Sequence, residues 1–180
     1  MSTVRKLCTM AVLVALSVVL FLVLKIPFFP AAAPHLEYEM TDVPILVGSF
    51  MFGPVAGLIL TVIASVIQGV TVSAHSGPVG ILMHIIATGA FAGTAGIIYK
   101  HKRTQKGALL ALAGGTMAMA AIMIPANLTI TVHLYGVPYE AVKGMLLPVI
   151  IPFNLLKAGL NSIIIFFVYK PLKRLFSIQS

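Results

Sequence analysis

Five apolar stretches occupy most of this chain, and they leave few folds open to it. They run Leu7–Leu24, Val55–Val70, Val79–Tyr99, Ala108–Thr131 and Leu147–Tyr169. The hydrocarbon core of a bilayer takes about 20 apolar residues per helix, and no water is present there to satisfy backbone groups left unpaired. Stretches of this kind therefore predict membrane-spanning helices. A sixth, Val43–Phe52, is too short to cross squarely. It stops at Gly53-Pro54, a turn signal, so a short helix paired with the next span is expected. Composition agrees: 9% of the residues are charged, against roughly 25% in a soluble domain whose surface must meet water. No Ser/Gly/Pro-rich segment is long enough to act as a linker, so residues 1–180 read as one membrane-embedded domain.

The first stretch follows Arg5 and Lys6, as a secretory leader would. It exceeds the 7–15 residues of a usual leader core, and no small-residue cleavage site follows it. It is read as a retained span. Cys8 stands alone, which excludes an internal disulfide and any cysteine-based metal cluster; a passive apolar role is expected for it.

Orientation follows from lysine and arginine. Arg5 and Lys6 precede the first span, Lys100, Lys102, Arg103 and Lys106 lie between the fourth and fifth, and Lys170, Lys173 and Arg174 follow the sixth. In a six-span arrangement these nine of the twelve basic residues share one side, and Glu37, Glu39, Asp42 and Glu140 share the other. The positive-inside rule places that basic side in the cytoplasm. The expected fold is thus an all-α integral membrane protein of six transmembrane helices, with both termini in the cytoplasm and a short second helix. The net charge of +8 is accounted for by topology, so no nucleic-acid partner is expected.

The outer face holds the unusual sequence. Ile26–Thr41 contains three prolines, two phenylalanines, His35 and Glu37-Tyr38-Glu39, and Val132–Leu146 contains Tyr135, Tyr139, Glu140 and Lys143. Structured, aromatic outer loops suit a binding protein open to the outside. Within the sixth span the run Pro152-Phe153-Asn154-Leu155-Leu156-Lys157 stands out. An ammonium deep in a span costs about 2.5–3.5 kcal/mol on insertion scales and so faces a cavity or a partner. Asn154 and Lys157 share one helical face, extended by Asn161. Two readings are open: a ligand contact, or a structural role in which Lys157 pairs with a carboxylate and Asn154 joins helices. Asn127, following Pro125, is a second candidate with the same two readings. Ala11 and Ala15, spaced by four, let another helix approach closely, within the bundle or outside it; Gly89, Gly93 and Gly96 form a second surface of this type. His84 lies within the fourth span, and His35, His75 and His133 fall in outer loops. No histidine pair has a ligand spacing, so no metal site is expected. A phosphate-binding Gly-x-x-x-x-Gly-Lys-Ser/Thr loop is absent, as is any nucleophile–base pairing, so neither ATP-driven work by this chain alone nor an enzyme is expected.

Three segments, in order and spacing, carry a resemblance: Glu37-Tyr-Glu-Met-Thr-Asp-Val-Pro44, Phe52-Gly-Pro-Val-Ala-Gly57 and Pro152-Phe-Asn-Leu-Leu-Lys157. They resemble the substrate-binding S component of an energy-coupling factor (ECF) transporter, within its riboflavin-specific subfamily, over nearly the whole chain. The resemblance implies a vitamin-binding S component of an ATP-driven importer in the cell membrane of a prokaryote. Riboflavin would be transported cargo, with no cofactor, and the partners would be a membrane coupling (T) subunit and two cytoplasmic ATPases. It implies a lid in the first outer loop, with Leu36, Tyr38 and Met40 over the ligand. Asn127, Asn154 and Lys157 would be ligand contacts, and Ala11 and Ala15 the docking residues. The chain departs from the riboflavin pattern in two places. Where many members carry a Lys-Asn pair it has Ala64-Ser65-Val66-Ile67-Gln68, and His75-Ser-Gly-Pro-Val-Gly80 lacks the usual acid. Rivals are an S component for another vitamin or flavin precursor and, from a different class, a membrane-embedded enzyme using His84 and Lys157.

Overall fold

A computed structural model of the chain describes residues 2–27, 36–71 and 77–177. The centre of the expected lid, with His35, and the loop bearing His75 lie outside the described residues. Helix α1, Thr3–Val23, starts at Ser2, whose hydroxyl accepts the backbone N–H of Arg5 at 3.4 Å. It buries one stripe, Leu13, Val14, Ser17 and Phe21, spaced as one helical face requires. That stripe packs on α2 (Asp42–Phe52) and α3 (Pro54–Val70), and the rest of α1 is largely exposed.

Helix α2 is the centre of the core. Every residue from Asp42 to Phe50 is buried, which is the pattern of a helix enclosed on all sides. Its 11 residues rise only about 16 Å, half a hydrocarbon core. Gly53, at φ 92°, turns the chain, and Pro54 opens α3 at a position where a missing N–H costs nothing. The expected short helix and its turn are therefore present.

Helix α4, Gly77–His101, lies against α2 and α3, and α5, Gln105–Ala126, against α4. Small residues make both approaches possible. Ser49 donates to the Ala92 carbonyl at 2.7 Å. A Cβ on Gly96 would meet Ser49 Oγ and sit 2.9 Å from the Pro54 Cα, and one on Gly115 would sit 2.8 Å from the Phe91 carbonyl oxygen. The Gly96 surface thus serves internal packing. Because the Pro54 backbone cannot rotate away, Gly96→Val is expected to destabilise by about 1–3 kcal/mol, as overpacked cores do. Its thermal melt in detergent should fall clearly below the parent's; coincident melts would refute this packing argument.

At Pro125 the helical ladder loses a donor, and the chain continues through a π-helical turn, Asn127–Thr131, into a short α6, Val132–Leu134. Gly136, at φ 68°, reverses the chain. Helix α7, Tyr139–Met145, then runs through a second π-helical turn, Leu146–Ile150, into α8, Ile151–Ser177. The outer segment expected as a loop over Val132–Leu146 is therefore mostly helical. Two features carry the difference: Pro138 ahead of α7 sets its start, and Pro148 is absorbed by π-helical geometry instead of ending the helix.

Among the described residues, four continuous apolar runs are long enough to cross a membrane: Thr3–Val23, Gly77–His101, Gln105–Leu134 and Tyr139–Val168. Helices α2 and α3 are apolar but shorter. A strand pair in the first outer segment also departs from the sequence expectation. Strand β1, Lys25–Pro27, pairs antiparallel with β2, Glu37–Glu39, placing Ile26 opposite Tyr38. This hairpin presents Tyr38 and Glu39 to the bundle, and both are buried.

Candidate ligand-binding site

A cavity of about 170 Å³ opens between α1, β2, α3, α4, α5 and α8. Phe21, Ile81, Met119, Met123 and Phe153 make its apolar walls. Its polar wall is formed by Glu39, Ser65, Gln68, His84, Asn154 and Lys157. An apolar slot with a few fixed polar groups is the usual form of a small-molecule site.

The polar wall is tied together across elements far apart in sequence. Lys157 Nζ donates to Glu39 Oε1 at 2.8 Å, and both residues are more than nine-tenths buried. His84 Nε2 lies 3.3 Å from the same oxygen. Asn161, fully buried on α8, donates to Asp42 Oδ2 at 3.0 Å and accepts from Tyr38 Oη through Oδ1, also at 3.0 Å. Behind this layer Gln68 donates to Thr41 Oγ1, and Ser17 to the Thr41 carbonyl, each at 3.2 Å. The strand that closes one side of the cavity is therefore clamped to α8 by Tyr38–Asn161 and Glu39–Lys157. Burial by itself would raise the Glu39 carboxyl; Lys157, helped by His84, outweighs that and holds it well below the usual carboxylate range. Burial also pushes the Tyr38 phenol up, reinforced by Asp42 and opposed by Lys157.

The expected site residues divide into two groups. Leu36, Asn154 and Lys157 line the cavity. Asn154 Nδ2 donates to the Ile150 carbonyl at 2.8 Å, and among the described residues no protein donor takes its Oδ1. The other three lie elsewhere. Tyr38 turns to Asn161. Met40 is half-buried against the apolar core. Asn127 is tied within its own helix, donating to the Met123 carbonyl at 2.8 Å and accepting from Thr131 at 3.2 Å. Ala11 and Ala15 are exposed, on the side of α1 away from the stripe that packs into the bundle. Glu39 and His84 occupy the cavity wall without having been singled out as contacts. The available signal was the buried lysine itself, which demands an anion, and Glu39 lies in one of the three segments that carry the resemblance.

Apolar helices of membrane-crossing length around a cavity with a clamped polar wall define a membrane-embedded small-molecule-binding protein. Residues 5–169 match the family described as "ECF transporter, substrate-specific component", and the chain belongs to that family of transport proteins. It is 32% identical over 175 residues to the riboflavin transporter RibU of Staphylococcus aureus (strain TCH60), covering 93% of this chain and 90% of that one. It is 28% identical to the riboflavin transporter FmnP of Bacillus subtilis (strain 168), covering 94% and 93%. A solved S component of a bacterial ECF transporter superposes with a TM-score of 0.82 at 32% identity, over 97% of this chain and 98% of that one.

Proposed function

We propose that this chain captures riboflavin at the outer side of a prokaryotic cell membrane and delivers it inward through an ATP-driven coupling module. The observation that carries this reading is the cavity wall of Asn154, Lys157 and Glu39, in a chain similar over nearly its whole length to named riboflavin transporters. Riboflavin is an uncharged tricycle with a polyhydroxylated chain. It suits apolar walls for the ring, an amide for the ring's donor–acceptor edge, and a charged pair for carbonyl and hydroxyl groups.

In this reading all six main helices cross or enter the bilayer, with both termini in the cytoplasm. Lys6 lies 5.7 Å from the centre of the Phe52 ring at one end of the bundle, while the acidic network gathers where α2 begins. That segregation supports the orientation. The exposed pair Ala11 and Ala15 would meet a membrane coupling (T) subunit that works with two cytoplasmic ATPases, because small side chains let helices approach closely. Leu36 and the strand behind it would close over the bound ring.

The test is direct. Protein purified alone in detergent should carry flavin absorbance, and titration of riboflavin should quench its fluorescence at a one-to-one ratio. Absence of both would refute the flavin assignment. A second reading, an S component for another vitamin or flavin precursor, is favoured by one observation. Ser65 and Gln68 line the cavity where many riboflavin-type members carry Lys and Asn nearby. It predicts another bound small molecule in the purified protein, identified by mass spectrometry.

A further inference from the structure

The polar wall holds more charge than the Glu39–Lys157 pair. Asp42 is fully buried, and its Oδ1 accepts from Thr88 Oγ1 at 2.7 Å while Oδ2 accepts from Asn161. Two buried carboxylates, Glu39 and Asp42, thus share one ammonium, and a buried charge without a counter-charge is costly. The titratable groups facing His84 are Glu39 from β2, Asp42 from α2 and, across Glu39, Lys157 from α8. Helix α3 contributes the neutral Ser65, α5 contributes Met119 and Met123 to the cavity, and Glu37 also lines it.

The hydrogens around His84 can be counted. Ser65 has one hydroxyl proton, and its Oγ donates it to the Thr61 carbonyl at 2.6 Å. Ser65 Oγ is also 2.7 Å from His84 Nδ1, so the proton in that contact comes from Nδ1. Thr88 gives its proton to Asp42, leaving only lone pairs toward His84 Nε2 at 3.3 Å. Among the described residues, the other polar neighbours of Nε2 are Glu39 Oε1 at 3.3 Å and Asp42 Oδ1 at 3.8 Å, both acceptors. Both ring nitrogens therefore face acceptors, an arrangement that suits the imidazolium form, in which both donate.

We propose that His84 is a positioning residue of the ligand site. Its imidazolium supplies the second cation of a balanced Glu39–Asp42–Lys157–His84 cluster and, with Lys157, holds the Glu39 carboxylate in place at the cavity wall. The proposal rests on the cavity being where the vitamin binds. It also accounts for Ser65 at the cavity: Ser65 is the acceptor that orients the ring.

The test reads the ring and the ligand separately. In protein labelled with nitrogen-15 histidine, held in detergent micelles at neutral pH, His84 should show two protonated ring nitrogens, its signal identified by loss in His84→Gln. Riboflavin affinity, followed by fluorescence quenching as the pH is raised, should fall in step with the loss of that ring proton seen in the spectra. His84→Gln keeps a donor near Nε2 without the charge. It should bind about tenfold weaker or more, the scale of one lost charge-assisted hydrogen bond, with no such pH dependence. A bare ring nitrogen on His84 at neutral pH overturns the proposal, as does His84→Gln with parental affinity. If that variant does not fold, the spectra and pH profile of the unaltered protein decide. If the unaltered protein does not bind riboflavin, the vitamin reading falls and the ring-nitrogen spectra still decide the state of His84.

Discussion

Lys157→Met is expected to weaken riboflavin binding by about 100-fold or more, a loss of about 3 kcal/mol. Methionine keeps most of the length and apolar stem of lysine but no donor, so the cavity stays filled while its ammonium disappears. Two losses add. The ligand forfeits a charged hydrogen bond, typically about 1.5–3 kcal/mol, and Glu39 is left buried without its cation. The 2.8 Å contact and near-complete burial of both partners make this pair unlike a surface salt bridge, which contributes little. Stability should fall as well, since breaking a buried pair by removing one partner costs about 3–5 kcal/mol. The double variant Glu39→Gln/Lys157→Met separates the two effects. With both charges gone it should recover much of the lost thermal stability in detergent, because no charge is stranded. It should not recover riboflavin affinity, because the ammonium that meets the ligand is still missing. Fluorescence quenching and thermal melts on the two single variants and the double complete a cycle that isolates the pair. Parental affinity in Lys157→Met would remove Lys157 from the site.

That pair also shows what a single sequence can and cannot disclose here. Lys157 was legible because its surroundings are apolar, and a cation in such a run is conspicuous without any structure. Its partner was not, since Glu39 stands 118 residues earlier in a segment that reads as an outer loop. Charge counting placed Glu39 and Asp42 on the outer side, but nothing in periodicity tells a solvated acid from one folded back into the bundle. Helix α2 follows the same division. Its shortness and the Gly53-Pro54 turn were readable, whereas its enclosure on all sides depends on helices from both halves of the chain. The local π-helical turns at Asn127 and Leu146 are not legible for a different reason: proline marks a disturbed ladder but not how the chain repairs it. Asn127 shows the consequence, being level with the cavity by position yet bonded within its own helix.

Ala11→Trp is expected to abolish vitamin uptake by cells while leaving the riboflavin Kd of the purified protein within about twofold of the parent, a change of under 0.5 kcal/mol. The separation follows from the geometry of α1. Leu13, Val14, Ser17 and Phe21 face the bundle, and Phe21 reaches the cavity, whereas Ala11 and Ala15 lie on the exposed side. A tryptophan at Ala11 therefore starts from an exposed position, more than two helical turns from Phe21 and the ligand cavity. In lipid it is harmless, because the surrounding chains rearrange around it. Against a helix packed close over small side chains it is not, because overpacked contacts cost about 1–3 kcal/mol or separate altogether, and little hydrophobic driving force remains within a bilayer to restore them. Met117→Trp places the same bulk on an exposed position of α5 and serves as the control, with uptake retained. Loss of riboflavin binding in purified Ala11→Trp would show that this face supports the fold, and unimpaired uptake would show that the coupling subunit docks elsewhere. With binding intact and uptake gone, capture and delivery would be assigned to opposite faces of one helix. The Phe21 side would serve the ligand, and the Ala11–Ala15 side the subunit that moves it.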